Sequence, residues 1–284
     1  MPSSRLLAQS RVFVACLALA IVGVVGLGLT AVATQPATAS SNGTTAADPT
    51  PPDGGNPGQR LLNWSGITWL VYPNCPICGP EHTATTNAAR AVYVDRRGWL
   101  HLAVSKIDGR WSGVELRALT QAPYGTYRWV VNSATADMDP WAVLGMFVYR
   151  PGTAKLTNEI DVEDSRFPHL LRAPDNAQFT VQPYNVAGNQ HGYYISSDYH
   201  PLVQQFTWSP AFGSETHGSV QFETRVGTTE RSPLLARFSY GGYAVPTSTN
   251  MQLFVVLWMN KNHTPTTGTH SAVIRNLSIQ PLGG

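Results

Sequence analysis

The chain has 284 residues, enough for one large all-β domain or two small ones, and its hydrophobic fraction of 43% suffices for a sizeable core. A net charge of +2 and the lack of any Lys/Arg run exclude nucleic acid as an expected partner. Gly and Pro are frequent, and no long segment of the folded region carries an amphipathic helical period, so short strands joined by many turns are expected.

At the N-terminus, Arg5 and Arg11 precede an apolar run from Val12 to about Ala33. A basic stretch followed by an apolar one is the pattern of a secretory signal, and Ala37-Thr38-Ala39 resembles a small-residue cleavage site. The run, at about 20 residues, is also long enough to stay uncleaved as a bilayer anchor. Residues 1–39 therefore read as a signal peptide or signal anchor. The rest of the chain is expected to be secreted, or held at the outer face of the membrane by that segment alone. Phe13-Val14-Ala15 before Cys16 is a poor lipobox, so lipidation is not expected. Residues 40–60 are rich in Ala, Thr, Ser, Pro, Gly and Asn and read as a flexible linker. The folded region is expected to span residues 61–284 as a single domain.

An aromatic, strand-like segment opens that region with Trp64, Ile67, Trp69, Val71 and Tyr72. It runs into Cys75-Pro76-Ile77-Cys78, set between Pro73 and Pro80. A CxxC pair invites a redox or zinc reading, but no βαβ pattern surrounds this one and only His82 lies nearby as a further ligand. A local disulfide bracing a proline-rich loop of an exported protein is the favoured reading, with metal binding behind it.

Strand patterns follow at Ala91–Val94 and Leu100–Val104, separated by the turn Asp95-Arg96-Arg97-Gly98. A second turn at Asp108-Gly109 leads to Val114–Leu116 and then Tyr124–Val131, while Trp141–Tyr149 is apolar throughout and reads as a strand covered on both faces. Later strands are expected at Gln178–Tyr184, Gln204–Trp208, Ser219–Val226, Met251–Met259 and Ala272–Gln280. About a dozen short strands with no strong helix predict a β-sandwich or barrel.

The chemistry concentrates in Asn158-Glu159-Ile160-Asp161-Val162-Glu163-Asp164. Successive side chains of a strand point to opposite faces, so Glu159, Asp161 and Glu163 share one face while Ile160 and Val162 enter the interior. Only 13% of the chain is charged, against about 25% in an ordinary domain, so three carboxylates on one strand face are conspicuous. Like charges this close repel, and one group is expected to keep its proton to higher pH. Acid/base catalysis uses such an arrangement. A solvated sheet face or part of a calcium site are the plainer alternatives.

Three segments together resemble glycoside hydrolase family 16: Tyr124-Gly125-Thr126-Tyr127-Arg128, Asp139–Phe147, and Glu159–Glu163 with the family's E-x-D-x-E signature. The resemblance extends loosely from Trp64 to the C-terminus and implies an all-β, concanavalin A-like jelly roll of two antiparallel sheets. It implies Glu159 as nucleophile, Glu163 as general acid/base and Asp161 as the residue that orients the nucleophile. The implied activity is retaining, endo-acting hydrolysis of a β-linked polysaccharide, β-glucan or galactan. Phe147 stands where many members carry Trp, Asp164 where they carry a hydrophobic or small residue, and Gln182 where a histidine is usual. Those departures bear on the substrate more than on the reaction.

Such a cleft needs flat apolar surfaces and hydrogen-bonding groups. Trp141, Tyr184, Trp208 and Trp258 are candidates for stacking on sugar, and Arg166, Gln182 and Asn185 for contacting hydroxyls. A core position is at least as good a reading for each single aromatic. No cofactor is required, no metal ligands are assigned, and a structural calcium ion is the metal that the resemblance leaves open. The protein is expected to be a monomer with a polysaccharide as its partner. A non-catalytic carbohydrate-binding module and a transglycosylase on the same fold are the alternatives, and a purely structural envelope protein is the weakest.

Overall fold

The computed structural model describes residues 58–151, 158–167, 171–266 and 268–283. The signal or anchor segment and most of the linker lie outside the described residues. In chain order, β1 (Arg60–Trp64), β2 (Ile67–Val71), β3 (Val92–Val94), β4 (Leu100–Ala103), β5 (Ser105–Ile107), β6 (Arg110–Ser112), β7 (Val114–Gln121), β8 (Gly125–Val131) and β9 (Ala142–Tyr149) lead to the carboxylate strand, β10 (Glu159–Asp164). It is followed by β11 (Ala177–Val181), β12 (Gln190–Tyr193), β13 (Leu202–Ser209), β14 (Ser219–Val226), β15 (Leu234–Gly241), β16 (Gln252–Met259) and β17 (Ser271–Pro281).

An eight-stranded sheet has the order β1-β2-β7-β16-β9-β10-β11-β12, and a seven-stranded one β15-β14-β13-β8-β17-β4-β3. The strands of both pair antiparallel throughout. One continuous core joins them, to which Ile160, Val162 and Phe179 contribute from the larger sheet and Tyr127, Trp129 and Phe222 from the smaller. Phe179 stacks on Phe222 across the sandwich, ring centroids 5.1 Å apart. The expected jelly roll is the fold. Helical structure among the described residues is confined to three short 3₁₀ turns, and no helix there is long and apolar enough to cross a membrane.

The aromatic opening segment is two strands, not one, because Ser65 and Gly66 take positive φ (53° and 74°) and fold it into a tight hairpin. Strands β12 and β15 were not legible from the sequence pattern. Each is the edge of its sheet, where only one neighbour pairs with it and polar residues such as Gln190, His191 and Arg237 fill much of its length.

Polar links cross the dry interior: Tyr193 OH on β12 meets Thr224 Oγ1 on β14 at 2.8 Å, and a second link starts at β10. Asp164, 1% exposed, points inward from β10, and its Oδ1 accepts a hydrogen bond of 2.6 Å from Gln204 Nε2 on β13. The Oε1 of that glutamine accepts one of 2.9 Å from Trp129 Nε1. Gln204→Ala would strand both groups away from water, so it should destabilise the fold by about 2–4 kcal/mol in urea denaturation. Gln204→Glu should be worse still, since it would set two carboxyls against one another.

Candidate active site

The register of β10 with its neighbours assembles the site. Asp161 lies opposite Phe147 on β9 and Thr180 on β11, and Glu163 opposite Gly145 and Gln178. Directly paired residues share a sheet face, so these side chains stand on the outer face of the larger sheet. On the inner face Ile160 and Val162 are fully buried. Gly145 carries no side chain beside Glu163: a Cβ there would lie 3.0 Å from Val256 Cγ2 and 3.8 Å from Glu163 Cγ. A side chain at this position would crowd Val256 and press on Phe147 and Glu163.

Glu159 and Glu163 both line a cleft of about 300 Å³. Asp161, between them, is 3% exposed and accepts a 2.9 Å hydrogen bond on Oδ2 from Gln182 Nε2. Burial, and then the charges of Glu159 and Glu163, hold the Asp161 carboxyl far above the usual carboxylate range, and a hydrogen bond with Glu159 adds to this. Glu163 Oε2 accepts a 2.5 Å bond from Gln178 Nε2, and Gln178 Oε1 accepts one of 2.7 Å from Gln190 Nε2. Burial pushes Glu163 up to about 7; the bond from Gln178 opposes that, while the charges of Glu81 and Asp164 add to it. Asp164, on the dry face, is pushed up to about 6, again chiefly by burial.

The cleft walls come from distant parts of the chain. Phe147 stacks on Phe254 with centroids 5.1 Å apart and planes 2° from parallel, and Tyr149 meets the same ring edge-on at 6.0 Å. Trp258 and Glu115 line it as well, and the turn from Cys78 to His82 forms another wall. Cys75 and Cys78 are joined as the expected disulfide, their Cα atoms 5.6 Å apart.

Of the residues expected to bind substrate, Trp258 lines the cleft, and Gln182 reaches it indirectly through Asp161. Trp208 does not: it is fully buried with its Nε1 donating to Pro246 O, because β13 belongs to the other sheet and turns this residue inward. Trp141 precedes β9 and stacks flat on His263 at 3.7 Å, outside the cleft. Arg166 lies beyond the end of β10, where side chains no longer follow the pleat; it donates to Ala136 O and lines a separate cavity. Tyr184 and Asn185 are exposed in the turn after β11 and do not line the cleft either. Sequence reasoning missed Glu81, Glu115, Tyr149 and Phe254 on the walls, and Gln178 behind Glu163. Strand alternation at Phe147 and Tyr149 was a usable signal for the aromatic pair; for Glu81 there was none. Among the described residues no group of three or more His, Cys, Asp or Glu side chains is arranged to hold a metal ion.

Solved structures share this architecture. A pseudo β-1,3-glucanase and immunostimulatory antigen of Mycobacterium tuberculosis superimposes with a TM-score of 0.53 at 14% identity, covering 76% of this chain and 91% of its own. The chain shares their jelly-roll fold. A glycosyl hydrolase family protein from Mycobacterium fortuitum gives 0.52 at 14% identity over 75% of this chain and 91% of its own. A glycoside hydrolase family protein from Mycobacterium thermorestibile gives 0.52 at 11% identity over 75% and 92%. These neighbours share the two-sheet fold of this chain. No family model matches the sequence, and no curated protein does.

A carboxyl whose pKa is higher in the folded chain than in the unfolded one favours folding in its protonated form. Its contribution is complete below the ordinary value near 4 and is lost as pH rises through about 6 for Asp164 and about 7 for Glu163. Thermal stability should therefore fall between pH 4 and pH 8. Asp164→Asn keeps an oxygen for Gln204, so it should flatten that slope by roughly 2–3 kcal/mol in pH-resolved denaturation.

Proposed function

We propose that the protein is an exported, retaining endo-β-glycosidase acting on a β-linked polysaccharide, with Glu159 as nucleophile and Glu163 as general acid/base. The observation that carries this reading is that Glu159 and Glu163 face one cleft from one strand, with the buried Asp161 between them and hydrogen-bonded to Glu159. Three carboxylates in so dry a place do not all ionise. Asp161 keeps its proton and donates it in a hydrogen bond to Glu159, which stays ionised and nucleophilic. Glu163, poised near neutrality, holds the proton that the leaving oxygen needs.

In the first half-reaction Glu159 attacks the anomeric carbon and the glycosidic bond breaks as Glu163 protonates the departing oxygen. In the second, Glu163 takes a proton from water, which displaces Glu159 and releases the sugar. Retention needs the carboxyl groups about 5–5.5 Å apart, whereas four residues of strand separate their Cα atoms by about 13 Å. The two glutamate side chains have to lean toward each other over Asp161, around the bound sugar, to close that gap. The Phe147, Tyr149 and Phe254 rings offer apolar faces to a pyranose, and β-glucan and galactan are the polymers in view. The chemistry needs no cofactor. A monomer, secreted or tethered by residues 1–39, suits a polymer too large to enter the cell.

One neighbour in fold is described as a pseudo β-1,3-glucanase, so a silent, sugar-binding relative of the enzyme is the second reading. Reducing-end release from soluble β-glucans and β-galactans separates the two. The wild type should release ends, and Glu159→Gln should lose about 10³-fold or more. Binding without release by the wild type would favour the second reading.

Glu163→Gln should lose about 10²–10⁴-fold on the polymer, and far less on aryl glycosides with good leaving groups. Because the acid must be protonated, kcat/KM of the wild type should fall as pH rises past about 7. Gln178→Ala removes a donor that favours the ionised form, so it should move that limb to higher pH.

A further inference from the structure

The turn Cys78–His82 is an unusual wall for a cleft. Glu81 and His82 take left-handed backbone conformations (φ 50° and 59°) that non-glycine residues rarely adopt. The Cys75–Cys78 disulfide braces the turn, Gly79 N donates to Thr83 O at 2.9 Å, and Thr83 donates through N and Oγ1 to Pro80 O at 3.0 and 2.8 Å. The Glu81 carboxylate this turn holds over the cleft is exposed and has no hydrogen bond or ion pair among the described residues. It is near enough for its charge to act on Glu163.

The other titratable groups on the cleft are Glu115 from β7, Glu159 and Glu163 from β10, and His82 beside Glu81; no Lys or Arg lines it. An exposed carboxylate on a cleft lined by no Lys or Arg acts on the charged substituents of an incoming sugar without a cation to offset it. We propose that Glu81 is a specificity-determining residue, which admits uncharged or amine-bearing glycan units beside the cleaved bond and repels units that carry carboxylate or sulfate. This rests on the glycosidase reading for the word "cleaved", but the charge selection is a property of binding and can be read without catalysis.

The test uses the full-length protein and three forms of one soluble mixed-linkage β-glucan and of one β-galactan: neutral, carboxymethylated and aminoethylated, at matched chain length. Retardation in affinity gels at low ionic strength is measured for Glu159→Gln and for Glu159→Gln with Glu81→Gln. The neutral and aminoethyl forms should retard the first protein more than the carboxymethyl form does. Glu81→Gln should shrink the carboxymethyl penalty about threefold or more, the size of one exposed like-charge contact, and salt at about 0.5 M should shrink it similarly. A ratio cancels any uniform effect of the variant on folding or on Glu163. An unchanged penalty in the Glu81→Gln variant would overturn the inference, as would no retardation by any form. Release of reducing ends by the wild type from the neutral form is scored separately. Charge-dependent binding without release would sink the hydrolase reading and leave the role of Glu81 standing.

Discussion

Asp161 is surrounded by water-excluding strands and flanked by two glutamates on its own strand, and that restriction governs the site. A carboxylate in such a place is costly unless it is neutral or well paired. Gln182 supplies one partner at 2.9 Å and Glu159 another. The charges of both glutamates add to burial in holding the Asp161 carboxyl above the usual carboxylate range. Position on the strand, rather than chemical type, thereby sets how strongly each carboxyl holds its proton.

The strand that carries them is anchored on its other side. Ile160 and Val162 are fully buried, and Asp164 completes that face with a polar tie to Gln204 and Trp129 on the opposite sheet. A one-residue slip of β10 would turn every carboxylate of the site into the core and bring Ile160 and Val162 to the cleft. The apolar pair opposes that slip through burial, and Asp164 opposes it because its one oxygen has a specific partner 40 residues away in sequence. The buried acid near the C-terminal end of the strand is therefore part of what sets the register.

The walls follow a different logic. Phe147, Tyr149 and Phe254 belong to adjacent strands of the same sheet, so their meeting is a consequence of register. The Cys78–His82 turn reaches the cleft from a segment far earlier in the chain, braced by a disulfide and by backbone bonds that tie Cys75 to Thr85 at 2.8 and 3.1 Å. The sheet supplies the carboxylates of β10, and a tied loop supplies the exposed Glu81 on the same cleft.

The sequence by itself determined the all-β class, most of the strands, and the placing of Glu159, Asp161 and Glu163 on one face with Ile160 and Val162 behind them. Those are local consequences of a two-residue pleat, and composition and alternation report them directly. The tertiary structure decided which aromatics meet the cleft. Trp208 and Trp258 both sit near the ends of β-strands, yet one faces the interior from the smaller sheet and the other the cleft from the larger. Alternation gives two faces to each strand but does not say to which sheet the strand belongs. Nor could a local pattern place Glu81 beside Glu163, or Gln178 behind it: both contacts join residues distant in the chain, and only the pairing of strands and the fixing of the Cys75–Cys78 turn bring them together.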